Sequence, residues 1–187
     1  MSGHRSLAEH FLIAMPAMDD PNFFRSVTLV CQHDADGAMG LVVNLPSDFS
    51  LGGMLGQMKL ATQDLALAAQ PVLSGGPVQP DRGFVLHDDP RHWTSTLRLP
   101  GGLAVTTSRD ILEATAAGDG PAHMLVTLGY AGWEAGQLEH ELAANSWLTV
   151  PAETRILFDT PMAERWHAAA RCLGVDLERL ADYAGHA

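Results

Sequence analysis

The chain has little positive charge. Its 187 residues include 11 Lys and Arg against 22 Asp and Glu, which gives a formal net charge of −11. The basic residues are scattered singly along the sequence. An acidic surface of this kind repels phosphate backbones and anionic lipid headgroups. The composition therefore disfavours direct binding to nucleic acid and to membrane surfaces.

Cysteines and long apolar runs are also scarce. Cys31 and Cys172 are the two cysteines, and they form no CxxC motif. We expect both to be reduced, with a disulfide between them as the alternative. No segment approaches the ~20 apolar residues that cross a bilayer. The apolar run at 11–15 is too short for a signal peptide and ends at Pro16, so the sequence predicts a cytoplasmic protein.

The motifs of several enzyme classes are missing. The sequence contains no GxxxxGK[ST] and no GxSxG, and no GxGxxG in a suitable context. His140 and Glu141 begin like the HExxH motif of zinc proteases, but Ala144 stands where the second His ligand is required. Ser74 precedes two glycines yet lacks the rest of a nucleophile elbow. We predict no metal, no cofactor and no catalytic residue, which favours a non-enzymatic protein.

The remaining composition is that of a globular protein. Hydrophobic residues make up 47% and charged residues 18%, and one domain spanning residues 1–187 is expected. Strands outnumber helices and strict βαβ alternation is missing, so we predict an α+β fold with a mixed or antiparallel sheet and a few packed helices. The predicted strands are 11–14, 25–33, 38–44, 83–87, 96–99, 103–107, 124–128, 147–150 and 155–158. The predicted helices are 51–58, 109–117, 134–144, one starting at 160–161, and 176–183.

The most informative stretch is LGYAGWEAGQLE at 128–139. Its three glycines, Gly129, Gly132 and Gly136, are predicted to form a strand-to-helix corner, because glycine is favoured where the backbone turns left-handed or approaches another chain segment. Tyr130 and Trp133 between them could wall a pocket, or they could cap the core.

Two further motifs end predicted strands. Gly75, Gly76 and Pro77 could present backbone N–H groups to an anion, or they could form a tight turn. His87 is followed by two aspartates and could act as a general base, or it could make a hydrogen bond within a turn.

Polar residues are spaced so as to share one face of the predicted helix at 134–144. Glu134, Gln137, Glu141 and Asn145 could form an acid–base or cation-binding stripe, or simply the solvated side of the helix.

Several ordered motifs carry a family resemblance. They are FLIAMPAMDDPNFFRSV, GAMGLVVN, SGGPV, DRGFVLH, LGYAGWEAGQLEHEL, NSWL, ILFDTP and the closing AGHA. From Leu12 to Ala187 the chain resembles the AlgH/YqgE family of bacterial proteins. The resemblance implies a single α+β domain with coiled, bifurcated sheets. Some members of the family are described as transcriptional regulators, mainly through effects on the expression of exopolysaccharides and secondary metabolites, so the resemblance implies a regulatory role. It supplies no catalytic residue set.

Two hypotheses follow for this protein, and a third is disfavoured. The leading one is a non-enzymatic regulatory or interaction protein that acts indirectly on gene expression through a protein partner or a small ligand. The alternative is a small-molecule-binding protein or enzyme, whose pocket combines the SGGP, GFVLH and GYAGW motifs. Direct DNA binding has no basic helix to support it. The candidate pocket residues are Gly75, Gly76, Pro77, His87, Gly129, Tyr130, Gly132, Trp133, Gln137 and Glu139.

Overall fold

The computed structural model describes residues 5–184, in which ten strands and seven α-helices alternate irregularly. The closing AGHA motif lies outside these residues apart from Ala184. The strands are β1 His10–Ala14, β2 Val27–Asp34, β3 Gly37–Val42, β4 Pro46–Ser50, β5 Pro71–Ser74, β6 Val78–His87, β7 Thr96–Arg98, β8 Ala104–Thr106, β9 Met124–Glu134 and β10 Trp147–Pro151. The helices are α1 Leu51–Gln57, α2 Leu65–Ala68, α3 Arg109–Ala116, α4 Gln137–Ala143, α5 Thr154–Phe158, α6 Arg165–Arg171 and α7 Leu177–Ala184, with a 3₁₀ turn at Met162–Glu164.

The strands form one curled mixed sheet in the order β10-β1-β2-β3-β9-β6-β8-β7. Strands β4 and β5 lie off this path, and β5 pairs with β9 in parallel while the other pairings are antiparallel. Strand β9 is the hub, because it pairs with β3, β5 and β6. The prediction of a single α+β domain with a mixed sheet is confirmed.

The two faces of the sheet are packed differently. The inner face carries the largest hydrophobic cluster, in which strands β1, β2, β3, β6, β8 and β10 meet helices α5, α6 and α7. The outer face carries two smaller clusters. One lies under α1 and α3, and the other lies under α4 next to Trp133 and Trp147. The C-terminal helices cover only part of the inner face, and this leaves room for a groove.

The predicted strand at 155–158 is wrong, because these residues form helix α5. Ile156 and Leu157 are consecutive, and both are fully buried in the inner cluster. A strand would send neighbouring side chains to opposite faces, whereas a helical turn can bury both against one layer.

The helix predicted to start at Glu134 begins instead at Gln137. Strand β9 continues through Glu134 because it pairs with β3 along that stretch, and the left-handed Gly136 (φ +77°) then starts the helix. Of the three glycines predicted at the corner, only Gly136 lies there. The proposed polar stripe is not a helix face, because Glu134 lies in the strand and Asn145 lies beyond the helix with φ +58°.

The last long helix predicted from 160–161 is divided. A 3₁₀ turn at Met162–Glu164 precedes α6, whose Trp166 and Ala169 are buried as their spacing predicts. The helical spacing of Met162, Trp166, Ala169 and Leu173 predicts one apolar face, but Leu173 lies beyond the end of α6 and is exposed.

Candidate functional site

An open groove lies on the inner face of the sheet, where the C-terminal helices do not reach. Its volume is about 780 Å³. It follows the second half of β9 and is bounded by the end of β2, the start of β3 and the strands β6 to β8. The lining residues are Gln32, Ala38, Met39, Val78, Arg82, Phe84, Ser95, Thr96, Leu97, Val105, Thr107, Tyr130, Gly132, Trp133 and Glu134.

The floor of the groove is set by alternation along β9. Tyr130, Gly132 and Glu134 share one face of the strand, and Ala131 and Trp133 share the other. A Cβ atom added to Gly132 would find its nearest neighbour, the Tyr130 ring, at 3.7 Å, which is ordinary van der Waals contact. Gly132 therefore leaves space in the groove, and no close packing requires it to be glycine.

The walls combine aromatic surface with two opposite charges. Tyr130 meets Phe84 edge to face, with ring centroids 5.7 Å apart, and the Arg82 guanidinium lies 5.5 Å from the Phe84 ring centroid. Arg82 and Glu134 are the charged side chains of the lining. Such a surface can bind an apolar segment and orient its polar ends.

The lining of the groove is poor in the side chains that most often act as nucleophiles or general bases. Among the described residues it contains no His, Cys or Lys, and its hydroxyl groups come from Tyr130, Ser95, Thr96 and Thr107. The Thr96 hydroxyl is engaged with Thr106 Oγ1 at 2.8 Å and the Trp93 carbonyl at 3.2 Å. The arrangement is suited to binding.

Trp133 borders the groove, but its indole ring belongs to the outer layer. The ring lies 6.2 Å from those of Phe23 and Trp147, and its Nε1 donates to Glu141 Oε2 at 2.7 Å. The side chain is buried in the cluster under α4. Of the two predicted roles, Trp133 has the core-capping one and Tyr130 faces the groove.

The SGG and GYAG motifs meet, but as two crossing backbones. A Cβ atom on Gly76 would lie 2.1 Å from the Tyr130 carbonyl carbon, and one on Gly129 would lie 2.3 Å from the Gly76 carbonyl oxygen. Both residues also have positive φ, +151° for Gly76 and +77° for Gly129. The Gly75 N–H donates to the Leu128 carbonyl, and Val42 N–H donates to the Gly75 carbonyl. These glycines permit close approach and leave no ligand space between them, and Pro77 follows them on the exposed side.

His87 is fully buried and lies outside the groove lining. Its Nδ1 accepts from the Asp89 N–H at 3.1 Å, so Nε2 carries the proton and donates to Thr106 Oγ1 at 2.8 Å. Burial, the largest influence, lowers the pKa of His87, which keeps the ring neutral. His87 makes the predicted turn hydrogen bond, and its burial separates it from any ligand in the groove.

Gln137 and Glu139 fix the corner between β9 and α4. The Gln137 side-chain oxygen accepts from the Glu134 N–H at 3.0 Å. Glu139 pairs with His33 Nε2 at 2.6 Å, and His33 Nδ1 accepts from the Leu7 N–H. Sequence reasoning missed this His33–Glu139 contact, because the two residues come from distant elements.

Of the ten candidate residues, three border the groove: Tyr130, Gly132 and Trp133. The other seven lie at the backbone crossing, in the core or at the helix corner. Sequence reasoning missed Arg82 and Phe84, although the alternation through β6 that continues from GFVLH could have indicated them.

Other sites for chemistry are scarce among residues 5–184. No group of three or more His, Cys, Asp and Glu side chains there could hold a metal ion. Cys31 and Cys172 are free thiols, and burial raises the pKa of Cys31 to about 12. No helix in that part of the chain is both long and apolar enough to cross a bilayer.

Comparison with known proteins places this architecture in a family. Residues 11–178 match the model of a family described as AlgH-like. A UPF0301 protein of Xanthomonas campestris pv. campestris is 61% identical over 181 residues, covering 97% of this chain and 96% of the relative. A UPF0301 protein of Stenotrophomonas maltophilia is 59% identical with the same coverage.

Two solved structures have the same fold. The solution structure of the AlgH protein from Pseudomonas aeruginosa matches with a TM-score of 0.80 and 53% identity, covering 100% of this chain and 99% of that one. A crystal structure of a Corynebacterium diphtheriae protein matches with a TM-score of 0.74 at 20% identity, over 97% and 94% of the two chains, and supports the fold alone. By the family model, the identity and the fold together, this chain belongs to the AlgH-like (UPF0301) family.

Proposed function

We propose that this protein is a non-enzymatic binding protein that acts indirectly on gene expression, through a protein partner that docks in the groove. The observation that supports the proposal is the groove itself. It is an open, partly apolar surface of about 780 Å³ with aromatic walls, two opposite charges and a lining that contains no His, Cys or Lys among the described residues.

An extended peptide segment suits the shape and the edges of this groove. Strand β7 is an edge of the sheet, paired with β8 on one side, and its Thr96 and Leu97 line the groove. An extended segment that lies in the groove, inside the β7 edge, could place alternate side chains on Phe84 and Tyr130. Arg82 and Glu134 would then fix its direction through charge.

Direct DNA binding is not part of the proposal. Among the described residues, Arg82 is the single cation that lines the groove, and the whole chain carries a net charge of −11. Duplex binding draws its affinity from several cations that neutralise phosphates. A gel-shift assay at physiological salt is expected to show no retardation.

The test is a quantitative native pull-down that compares groove variants with a matched control. Gly132→Leu places a bulky side chain on the floor of the groove. Arg82→Glu replaces the positive charge of the groove lining with a negative charge. Arg171→Glu makes the same charge change at an exposed position outside the groove. We expect a reproducible partner that the wild type and Arg171→Glu retain and that both groove variants lose by about tenfold or more. Equal retention by all four proteins would overturn the proposal.

A small-molecule ligand is the second candidate, because the groove volume falls within the range of ligand pockets, roughly 300–1,000 Å³. A thermal-shift screen with nucleotides, sugars and phosphates tests it. A ligand at 100 times its dissociation constant stabilises by roughly 2.7 kcal/mol. Stabilisation of the wild type that is lost in Gly132→Leu would favour this candidate over a protein partner.

A further inference from the structure

A second, smaller cavity of about 280 Å³ lies where the C-terminal helices meet α1, β5 and the first half of β9. It shares no lining residue with the groove. Its walls are Leu51, Gln70, Pro71, Leu73, Ala122, His123, Met124, Leu125, Val126, Phe158, Met162 and Arg165.

Arg165 is the unusual member of this lining. It is only 7% exposed, and its Nε and Nη1 donate to the backbone carbonyls of Thr160 and Val43. Within residues 5–184, its Nη2 has no hydrogen-bond partner, and no carboxylate lies within ion-pair distance of the guanidinium. Two neutral carbonyls do not cancel a buried positive charge, and an uncompensated buried charge is costly. Arginine stays protonated even where burial lowers its pKa, as it does here.

The rest of the lining carries no negative charge. In a chain with 22 acidic residues, none of the twelve wall residues is Asp or Glu. His123 at the rim stacks on Phe158 with ring centroids 5.5 Å apart, and its Nδ1 contacts Asp88 at 3.1 Å. Asp88 contacts His123 but is not one of the cavity wall residues, and it does not compensate the charge of Arg165.

Apolar side chains form part of the wall around Arg165, beside exposed polar atoms. Met124, Met162 and the Phe158 ring face the same cavity, whereas Leu51 and Leu73 are buried and offer almost no surface to it. An inorganic anion would satisfy the guanidinium but would leave these walls in contact with water. A molecule with a negative end and an apolar body would satisfy both.

We infer that this cavity binds a small organic carboxylate, with its carboxylate on Nη2 of Arg165 and its apolar body against Met124, Met162 and Phe158. The volume lies just below the range of drug-sized ligand pockets, which restricts the ligand to an aryl or short-chain acid. This site is independent of the proposed partner groove.

The first test compares three probes by NMR on the full chain. Methyl resonances of Met124 and Met162, both in the cavity wall, are followed during titration with benzoate, benzamide and inorganic phosphate. We expect saturable shifts with benzoate and affinities at least about tenfold weaker for the other two, because only benzoate has both the charge and the apolar body. No saturable shift with benzoate, or equal affinity for benzamide, would overturn the inference. Tighter binding of phosphate would contradict the organic class of ligand.

The second test uses variants. Arg165→Gln removes the charge and is expected to weaken benzoate binding by at least about tenfold. Ala122→Trp keeps Arg165 and fills the mouth of the cavity from an exposed wall position, and it is expected to abolish binding. Ala61→Trp, at an exposed position outside the cavity walls, is the matched control and should bind benzoate as the wild type does.

Backbone amide spectra report whether each variant is folded. If Arg165→Gln does not fold, Ala122→Trp and the benzoate–benzamide comparison still decide the question. Unchanged benzoate binding by a folded Ala122→Trp would refute the site.

Discussion

The two halves of strand β9 are packed differently. Before Gly129, residues 124–128 are held between β5 and β6, and Val126 and Thr127 are buried. After Gly129, the strand pairs with β3, and only one of its faces is packed. The other face, which carries Tyr130, Gly132 and Glu134, is open to the groove.

Two glycines of the same sequence motif, one in each half of β9, have different structural roles. Gly129 is glycine because another backbone passes at contact distance and because its φ is +77°. At Gly132, three residues later, an added Cβ atom would have no neighbour closer than 3.7 Å, and the backbone is not left-handed. A glycine-rich motif can therefore mark tight packing and empty space only a few residues apart. Substitutions at the two positions distinguish these cases directly.

Gly129→Ala is expected to have the largest effect. The added methyl group would collide with the Gly76 carbonyl, and alanine is strained at this φ, so we expect a loss of unfolding free energy above about 3 kcal/mol. Urea unfolding followed by circular dichroism measures it. A loss below about 1 kcal/mol would show that the backbone crossing can relax, and it would contradict the conclusion that Gly129 is more tightly packed than Gly132.

His87→Asn tests the core beside the packed half of β9, since His87 is paired with Met124. The variant loses the bond to Thr106 and leaves a small void, and we expect a cost of about 2 kcal/mol in unfolding free energy. The same urea titration measures it. His123→Asn, at an exposed histidine, is the control and should change stability by less than about 0.5 kcal/mol.

The pH dependence of stability independently tests whether His87 is neutral in the folded state. Burial lowers its pKa in the folded state from the ordinary value of 6.5, so the unfolded chain binds the proton first as the pH falls. The stabilisation is complete above pH 6.5 and is lost as the pH falls towards the folded-state pKa, at up to about 1.4 kcal/mol per pH unit. Denaturant titrations between neutral and mildly acidic pH should show this slope in the wild type and a shallower one in His87→Asn. Equal slopes in the wild type and His87→Asn would mean that burial does not hold His87 neutral in the folded state.

Trp133→Phe tests the packed face of the second half of β9. The variant keeps an aromatic ring but removes the Nε1 donor to Glu141, and we expect a loss of about 1 kcal/mol. Glu141→Gln retains an acceptor and should cost less. If Trp133→Phe is neutral in urea unfolding, neither the Nε1 hydrogen bond nor the larger ring stabilises the fold beyond what phenylalanine provides.

Gly132→Ala is expected to have the smallest effect on stability, and it has the opposite sign to Gly129→Ala. Alanine in a strand interior is favoured over glycine by roughly 0.5–1 kcal/mol where nothing obstructs it. We expect a neutral or slightly higher unfolding free energy together with weaker retention of a groove partner. A destabilisation of more than about 1 kcal/mol would show that the groove floor is packed after all.

The sequence predicted the elements whose signal is local. The β-branched residues at 25–33 and the strand predicted at 38–44 correspond to β2 and β3, and the α+β class followed from many short strands. Helix α5 was mispredicted because Ile156 and Phe158 favour extended structure in isolation. Only the inner cluster reveals that the consecutive Ile156 and Leu157 must be buried on one side.

The groove could be predicted only in part for a similar reason. Tyr130 and Gly132 stood out as an aromatic next to a glycine, but Arg82, Phe84 and Leu97 reach the groove through sheet pairing between distant strands. The sequence placed His87 and the SGGP glycines among the candidate pocket residues, but in the structure they pack the core and the backbone crossing. Their burial and the crossing of two backbones depend on tertiary contacts that one sequence does not display.

The strand order has a consequence for the synthesis of the chain. Strand β1 lies between β2 and β10, and β3 lies between β2 and β9. On a ribosome, β1, β2 and β3 emerge together, but the outer partners of β1 and β3 follow only when residues 124–151 have been made. During that interval both edges of the nascent hairpin, with the apolar side chains of Phe11, Leu12 and Ile13, are open to pairing with other chains. Chaperone capture of the emerging β1–β3 segment would therefore protect the growing chain until its late strands arrive.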